Sequence, residues 1–400
     1  MNDSKKAYVI GTCDTKYPDL EFVRDCIENQ GISTVLVDVG TCPHDFSVDV
    51  TAKQIASYHE SRKDLLENNQ GRGDAVTAIS EALTNYLLSQ QDIGGVIGLG
   101  GSGGTALVTR AMQHLHIGIP KIMVSTVASG NTEPYVGVTD IMMVNSITDI
   151  TGINKISHSV LSNSAKALAG MIQFESGSYT GKKPALGLTM FGVTTPCVNH
   201  IQQELSDDYD CLVFHATGVG GRSMEKLIDS GLISHVMDVT TTEIADLIAG
   251  GIMSAGDDRM EAIIRNKMPY IGSVGAVDMV NFGHIDTVPE KYRSRQLYKH
   301  NEQITLMRTS VEENIKIGEW IAHKLNSMES QVRFFLPESG ISMLSGPNQP
   351  FHDPAADQAL FQTLEGLVKQ NDRRRLIRVP LAINDPSFGS LLVKNFNEIN

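Results

Sequence analysis

The sequence predicts an α/β protein of two parallel-sheet subdomains with a cleft between them. Three observations carry that expectation. Two glycine-rich turns, GLGGSGGT at Gly98–Thr105 and HATGVGGR at His215–Arg222, each join a short apolar run to an amphipathic stretch. Short apolar runs alternate with helical patterns, as in layered domains built on parallel strands. At 400 residues the chain is too long for one ordinary core, and a cluster of turn formers, Ser176–Pro184, divides the pattern in two. Subdomains over 1–178 and 184–400 are expected. A closed (β/α) barrel fits less well, because eight regular units do not precede the cluster.

In chain order, a strand at Ala7–Ile10 ends in the turn GTCDTK, Gly11–Lys16. A helix from Pro18 places Leu20, Val23 and Ile27 on one face, and proline suits a first helical turn. Ser33–Val37 is a strand. The polar stretch Asp45–Gln70 interrupts the pattern and is helical in part. A helix follows at Asp74–Leu88, with buried-strand signals at Gly95–Ile97, Lys121–Val124 and Ile141–Val144. A long helix spans Ile153–Phe174. After the turn cluster come strands at Ala185–Thr189, Cys211–Phe214, His235–Met237, Tyr270–Val274, Val332–Phe335 and Leu376–Val379. Helices are expected at Cys197–Leu205, Ser223–Ile228, Glu312–Leu325 and Ala355–Val368. Asp385–Ile399 is expected to cross back onto the first subdomain.

Composition narrows the partners. An apolar fraction of 41% with 20% charged residues is that of an ordinary globular protein. A formal net charge of -13 argues against a nucleic-acid surface. Five cysteines without a CxxC pair support neither a zinc knuckle nor a redox motif, and suit a reducing compartment. The N-terminus has no signal-peptide pattern, and no apolar run reaches the roughly 20 residues of a membrane span. A cytoplasmic protein is expected.

Ligands of open α/β sheets bind beyond the carboxyl ends of the strands. In the first half those positions hold Thr12, Asp14, Thr15 and Lys16, then Gly100, Gly101, Ser102, Gly103, Gly104 and Thr105. The run STVASGNT follows, with Ser125, Gly130 and Asn131. In the second half they hold Thr217, Gly218, Gly220, Gly221 and Arg222, then Asp238, Thr240–Glu243, Asp278 and Asn281. Singly, small hydroxyl residues at helix starts are helix caps; together they mark a ligand cleft.

Gly98, Gly100 and Gly103 spell GxGxxG, but the dinucleotide fingerprint wants an acid about 20 residues on. None occurs between Arg110 and Glu133. After the second loop Asp238 does stand at a suitable distance. No Walker P-loop occurs. Arg222, placed where the helix dipole disfavours a cation, hints at an anion partner. Among the histidines, His215, His284 and His352 are isolated. Asp278, His284 and Asp286 form a candidate divalent-metal cluster, although no metal site is assigned. Cys13 and Cys197 have no local histidine, and no GxSxG elbow occurs, so a nucleophilic hydrolase is not indicated.

GTCDTK, GLGGSGGT, STVASGNT, HATGVGGR and DVTTTE (Asp238–Glu243) together resemble the Tm-1-like ATP-binding domain family. It is an uncharacterised family whose best-known relative is the N-terminal domain of a plant tobamovirus-resistance protein. The resemblance runs from the first strand to the last. It implies two Rossmann-like subdomains, ATP binding and a homodimer. In the plant protein a TIM-barrel domain follows, so a separately encoded barrel protein is a candidate partner.

The function expected is therefore nucleotide binding, ATP with Mg²⁺, held by the glycine-rich loops; the catalytic residues are unknown. Two alternatives stay open. One is a metabolic enzyme acting on a small anionic substrate such as a sugar acid. The other is a nucleotide sensor that partners a barrel protein.

Overall fold

The computed structural model describes residues 5–59, 72–174 and 181–400. The chain forms two compact units, 1–179 and 180–400. The expected linker falls in large part outside the described residues.

The first unit contains β1 (Lys6–Gly11), α1 (Cys13–Glu28), β2 (Thr34–Asp38), α2 (Ala52–Ala56), α3 (Arg72–Ser89), β3 (Ile93–Gly100), α4 (Ser102–Met112), β4 (Lys121–Ser125), α5 (Glu133–Val136), β5 (Met142–Asn145) and α6 (Lys155–Gln173). Its five strands are parallel, in the order β2-β1-β3-β4-β5. Strand side chains alternate between faces, and both faces are covered. Val9, Ile97 and Val124 meet Leu20 and Val23 of α1 and Leu161 and Leu168 of α6. Tyr8, Ile10 and Val96 meet Ile79 and Leu83 of α3 and Val108 and Met112 of α4. The helix expected from Pro18 starts earlier, at Cys13, and kinks at Lys16 (φ -132°, ψ 16°). Proline lacks an N–H and is tolerated just past such a break.

The second unit contains β6 (Ala185–Met190), α7 (Thr195–Leu205), β7 (Asp210–His215), α8 (Val219–Asp229), β8 (His235–Thr240), α9 (Thr242–Ala249), α10 (Glu261–Arg265), β9 (Tyr270–Gly275), β10 (Met279–Phe282), β11 (Leu297–Lys299), β12 (Thr305–Arg308), α11 (Val311–Ser327), β13 (Val332–Pro337), α12 (Pro354–Leu367), β14 (Arg374–Val379) and α13 (Pro386–Ile399). Six strands form a parallel sheet ordered β14-β13-β9-β8-β6-β7. Read from β7, this repeats the strand order of the first unit with one strand added. In each sheet the order of strand addition reverses beside the first strand, between β1 and β3 and between β6 and β8.

Three expectations are corrected. β7 is an edge strand with Val213 exposed, not a buried one. β10, β12 and β11 form a separate antiparallel sheet that strand-helix alternation did not predict. α13 stays with the second unit, where Phe388, Leu392 and Phe396 pack with Val198 and Ile201 of α7. Its apolar stripe is satisfied there. Among the described residues no helix is long and apolar enough to cross a membrane.

Candidate functional site

The β1/β3 reversal of the first unit is a topological switch point, where open α/β sheets bind ligands. The loops leaving β1 and β3 are the ones the sequence marks. Gly101 is the N-cap of α4, in extended conformation and without a side chain to cap it. The amides of Ser102, Gly103 and Gly104 open the helix, where N–H groups have no intrahelical acceptor.

The glycines of this loop divide by purpose. A Cβ on Gly98 would lie 2.7 Å from both Met123 Sδ and Val108 Cγ1, and one on Gly100 would lie 2.8 Å from Gly104 C and Thr105 N. These two are packing glycines. A Cβ on Gly101 or Gly104 would approach nothing closer than 3.7 Å, and one on Gly103 would meet nothing within 4 Å. None of these three has a positive φ. The fold has no need of glycine at 101, 103 or 104. Their effect is open space in front of three helix-start amides.

Other expected contacts serve the loop itself. Thr105 Oγ1 donates to Gly101 O (2.7 Å) or shares its proton with Ser125 Oγ (2.6 Å), and both residues are buried. Ser125 Oγ also accepts from Val127 N (3.1 Å). Gly130 N donates to Val127 O, and Asn131 Oδ1 accepts from Glu133 N. Across the switch point, Thr12 Oγ1 and Thr15 Oγ1 are 2.9 Å apart. Asp14 Oδ2 accepts from Thr41 N and Cys42 N, while Asp14 Oδ1 is buried with no partner among the described residues. Lys16 Nζ donates to Ile150 O (2.6 Å).

The second glycine loop is built differently. Gly218 N and Gly221 N donate to Glu243 Oε1 at 2.7 and 3.0 Å, so a carboxylate of the chain occupies the start of α8. Gly218 has φ +85°. A Cβ on Gly220 would fall 1.9 Å from His215 O, and one on Gly221 2.2 Å from Glu243 Oε2. Here the glycines are required by the fold. Thr217 Oγ1 donates to His215 O, and the exposed Arg222 donates through Nε to Gly218 O.

Glu243 belongs to a buried ionic network absent from the sequence reading. Arg259 Nε donates to Glu243 Oε2 (2.8 Å), Nη2 to Asp238 Oδ1 (2.6 Å) and Nη1 to Glu225 Oε1 (3.4 Å). Tyr270 and Thr189 hydroxyls also donate to Asp238. Burial opposes the Arg259 charge, and the three carboxylates outweigh it and raise its pKa. Burial raises Glu225 despite Arg259. Asp238, the acid at fingerprint distance from the second glycine loop, is fully enclosed and spent on this network.

The cluster Asp278, His284 and Asp286 does not assemble. Asp278 is buried and accepts from Ser342 Oγ (2.7 Å), whereas His284 and Asp286 pair on the surface beyond β10. His352 Nδ1 lies 3.1 Å from Ser345 O. His352 lines a cavity of about 310 Å³ with Ser339, Gly340, Asp357 and Arg378. Cys13 has no local histidine along the chain, and the fold brings one to it: Asp38 and His44 stand beside it. They are distant along the chain, and the sequence held no spacing signal for them.

The class defined so far is a tandem pair of doubly wound α/β units, the first carrying an open helix-start loop at its switch point. The chain belongs to the uncharacterised protein family UPF0261: its N-terminal domain matches residues 5–177 and its C-terminal domain residues 183–400. A UPF0261 protein of Rhizobium meliloti is 50% identical, covering 99% of both chains. One from Clostridium tetani is 43% identical over 98% of each. The ToMV resistance protein Tm-1(GCR237) of Solanum lycopersicum is 43% identical across the whole of this chain, which spans 56% of the tomato protein.

Proposed function

We propose that the first unit binds the phosphates of a purine nucleotide, ATP carried with Mg²⁺, at the Gly101–Gly104 loop. The observation that supports this is the set of three glycines with no packing role in front of the α4 amides. A helix N-terminus attracts phosphate through its free N–H groups and dipole, and a Cβ at any of these positions would narrow the approach. Thr12 and Thr15 offer hydroxyls from the neighbouring loop, and Asp14 offers the carboxylate type that Mg²⁺ takes. Bound Mg²⁺ would neutralise phosphate charge. The resemblance of the sequence motifs to the Tm-1-like ATP-binding domain family is the ground for choosing ATP among anions and for proposing a homodimer. The second glycine loop is left out of the proposed site, because Glu243 holds its amides.

Calorimetric titration of the full chain with ATP, ADP and GTP, each with Mg²⁺, and with inorganic phosphate tests this. One nucleotide per chain is expected. Binding of inorganic phosphate without nucleotide binding would favour an enzyme of small anionic substrates. No binding of any would overturn the assignment.

A further inference from the structure

We infer that Cys13, Asp38 and His44 form a binding site for a transition-type divalent cation, of which Zn²⁺ is the commonest. One ligand atom from each, the Cys13 sulfur, an Asp38 carboxylate oxygen and a His44 ring nitrogen, lie within 4.8 Å of one another. Cys13 and Asp38 are buried at the ends of β1 and β2, and His44 closes the group from the following loop. Thiolate, imidazole and carboxylate are together a zinc-type donor set, three of the four ligands that Zn²⁺ usually takes. Mg²⁺ prefers oxygen and would reject it, so this site is separate in chemistry from the metal carried by a nucleotide.

The surroundings fit a cation. Asp38 Oδ1 is fixed by Cys13 N (2.9 Å) and Gly40 N (2.8 Å), which leaves Oδ2 facing His44 Nε2 at 3.0 Å. Fixed carboxylates of this kind orient metal ligands. A Cβ on Gly40 would sit 3.0 Å from Asp38 Oδ1 and 3.1 Å from Asp14 Oδ1. The partnerless Asp14 oxygen therefore lies beside the group and adds negative charge. Without metal, His44 Nδ1 accepts from Phe46 N (3.2 Å), so the neutral ring carries its proton on Nε2. Binding moves that proton to Nδ1, releases the Phe46 amide to solvent and sends the Cys13 thiol proton to bulk water.

Cobalt is the probe. The reduced full chain, stripped with chelator, is titrated with Co²⁺ and then Zn²⁺. The expected results are one equivalent bound, a thiolate-to-cobalt charge-transfer band, and its loss on Zn²⁺ addition. Cys13→Ser should abolish the band, His44→Ala should weaken binding at least tenfold, and Cys42→Ser should change neither. His44 lies in a loop, so His44→Ala keeps the test decisive if Cys13→Ser fails to fold. No band in the wild type, a band unaltered in Cys13→Ser, or unchanged affinity in His44→Ala overturns the site. Calorimetry with ATP–Mg²⁺ on His44→Ala should show nucleotide binding intact, which separates this outcome from failure of the phosphate site.

Discussion

Valine at Gly103 is expected to leave the first unit folded and to remove its response to nucleotide. Nothing lies within 4 Å of a Cβ there, and the backbone is not left-handed. Glycine is the worse helix former by a few tenths of a kcal/mol, so the unliganded variant should be as stable as wild type or slightly more so. The side chain, however, fills the space before the α4 amides. ATP–Mg²⁺ at a hundredfold over its Kd should add about 2.7 kcal/mol to the wild type. For a unit of this size that is about 5–11 °C in Tm. Differential scanning calorimetry of both proteins, with and without nucleotide, reads the difference. Gly100→Ala is the control: its Cβ would lie 2.8 Å from backbone atoms and should cost roughly 1–3 kcal/mol through overpacking. A full nucleotide shift in Gly103→Val would refute the role given to the loop, as would no shift in the wild type.

Gly221→Ala should destabilise the second unit by roughly 3–5 kcal/mol in urea unfolding, because its Cβ displaces Glu243 and breaks a buried pair with Arg259. An effect below 1 kcal/mol would show that Glu243 can move at little cost. Burial pushes Asp246 up to about 7 from the ordinary 3.8. The folded chain thus keeps a proton that the unfolded chain loses, so this stabilisation is complete below pH 3.8 and is lost as pH rises through 7. Asp246→Asn should flatten stability between about pH 4 and pH 7, the span between the unfolded and folded values, over which the folded chain holds a proton that the unfolded chain has lost; an unchanged slope would assign it to other groups. For the proposed homodimer, light scattering at micromolar concentration should give about twice the 43.5 kDa of one chain. A mass near 43.5 kDa would overturn the dimer.

Much of the architecture was legible because apolar periodicity and glycine punctuation are local. Val96–Ile97 followed by a glycine-rich run reads as a strand leading into a helix before any partner is known, and that order forms; the expected turn Gly98–Thr105 shrinks to Gly101, because the strand runs on to Gly100 and the helix starts at Ser102. The antiparallel sheet was not legible. β10, β11 and β12 are short, and their pairing joins Met279 to Arg308 across an irregular stretch. α13 misled because its amphipathic stripe states that it needs a core without stating which one.

The two glycine loops mark the boundary most sharply. Sequence alone determined that each follows a strand and opens a helix, since glycine content and hydrophobic alternation are properties of neighbouring residues. It could not say what lies in front of the amides. That depended on Glu243, brought from the first turn of α9 to fill one helix start, and on the open space left before the other. The same holds for Cys13, Asp38 and His44, which converge only because β1 and β2 lie side by side and end together. Side chains remote in sequence become neighbours through sheet order, and the order of parallel strands is decided by packing of whole elements.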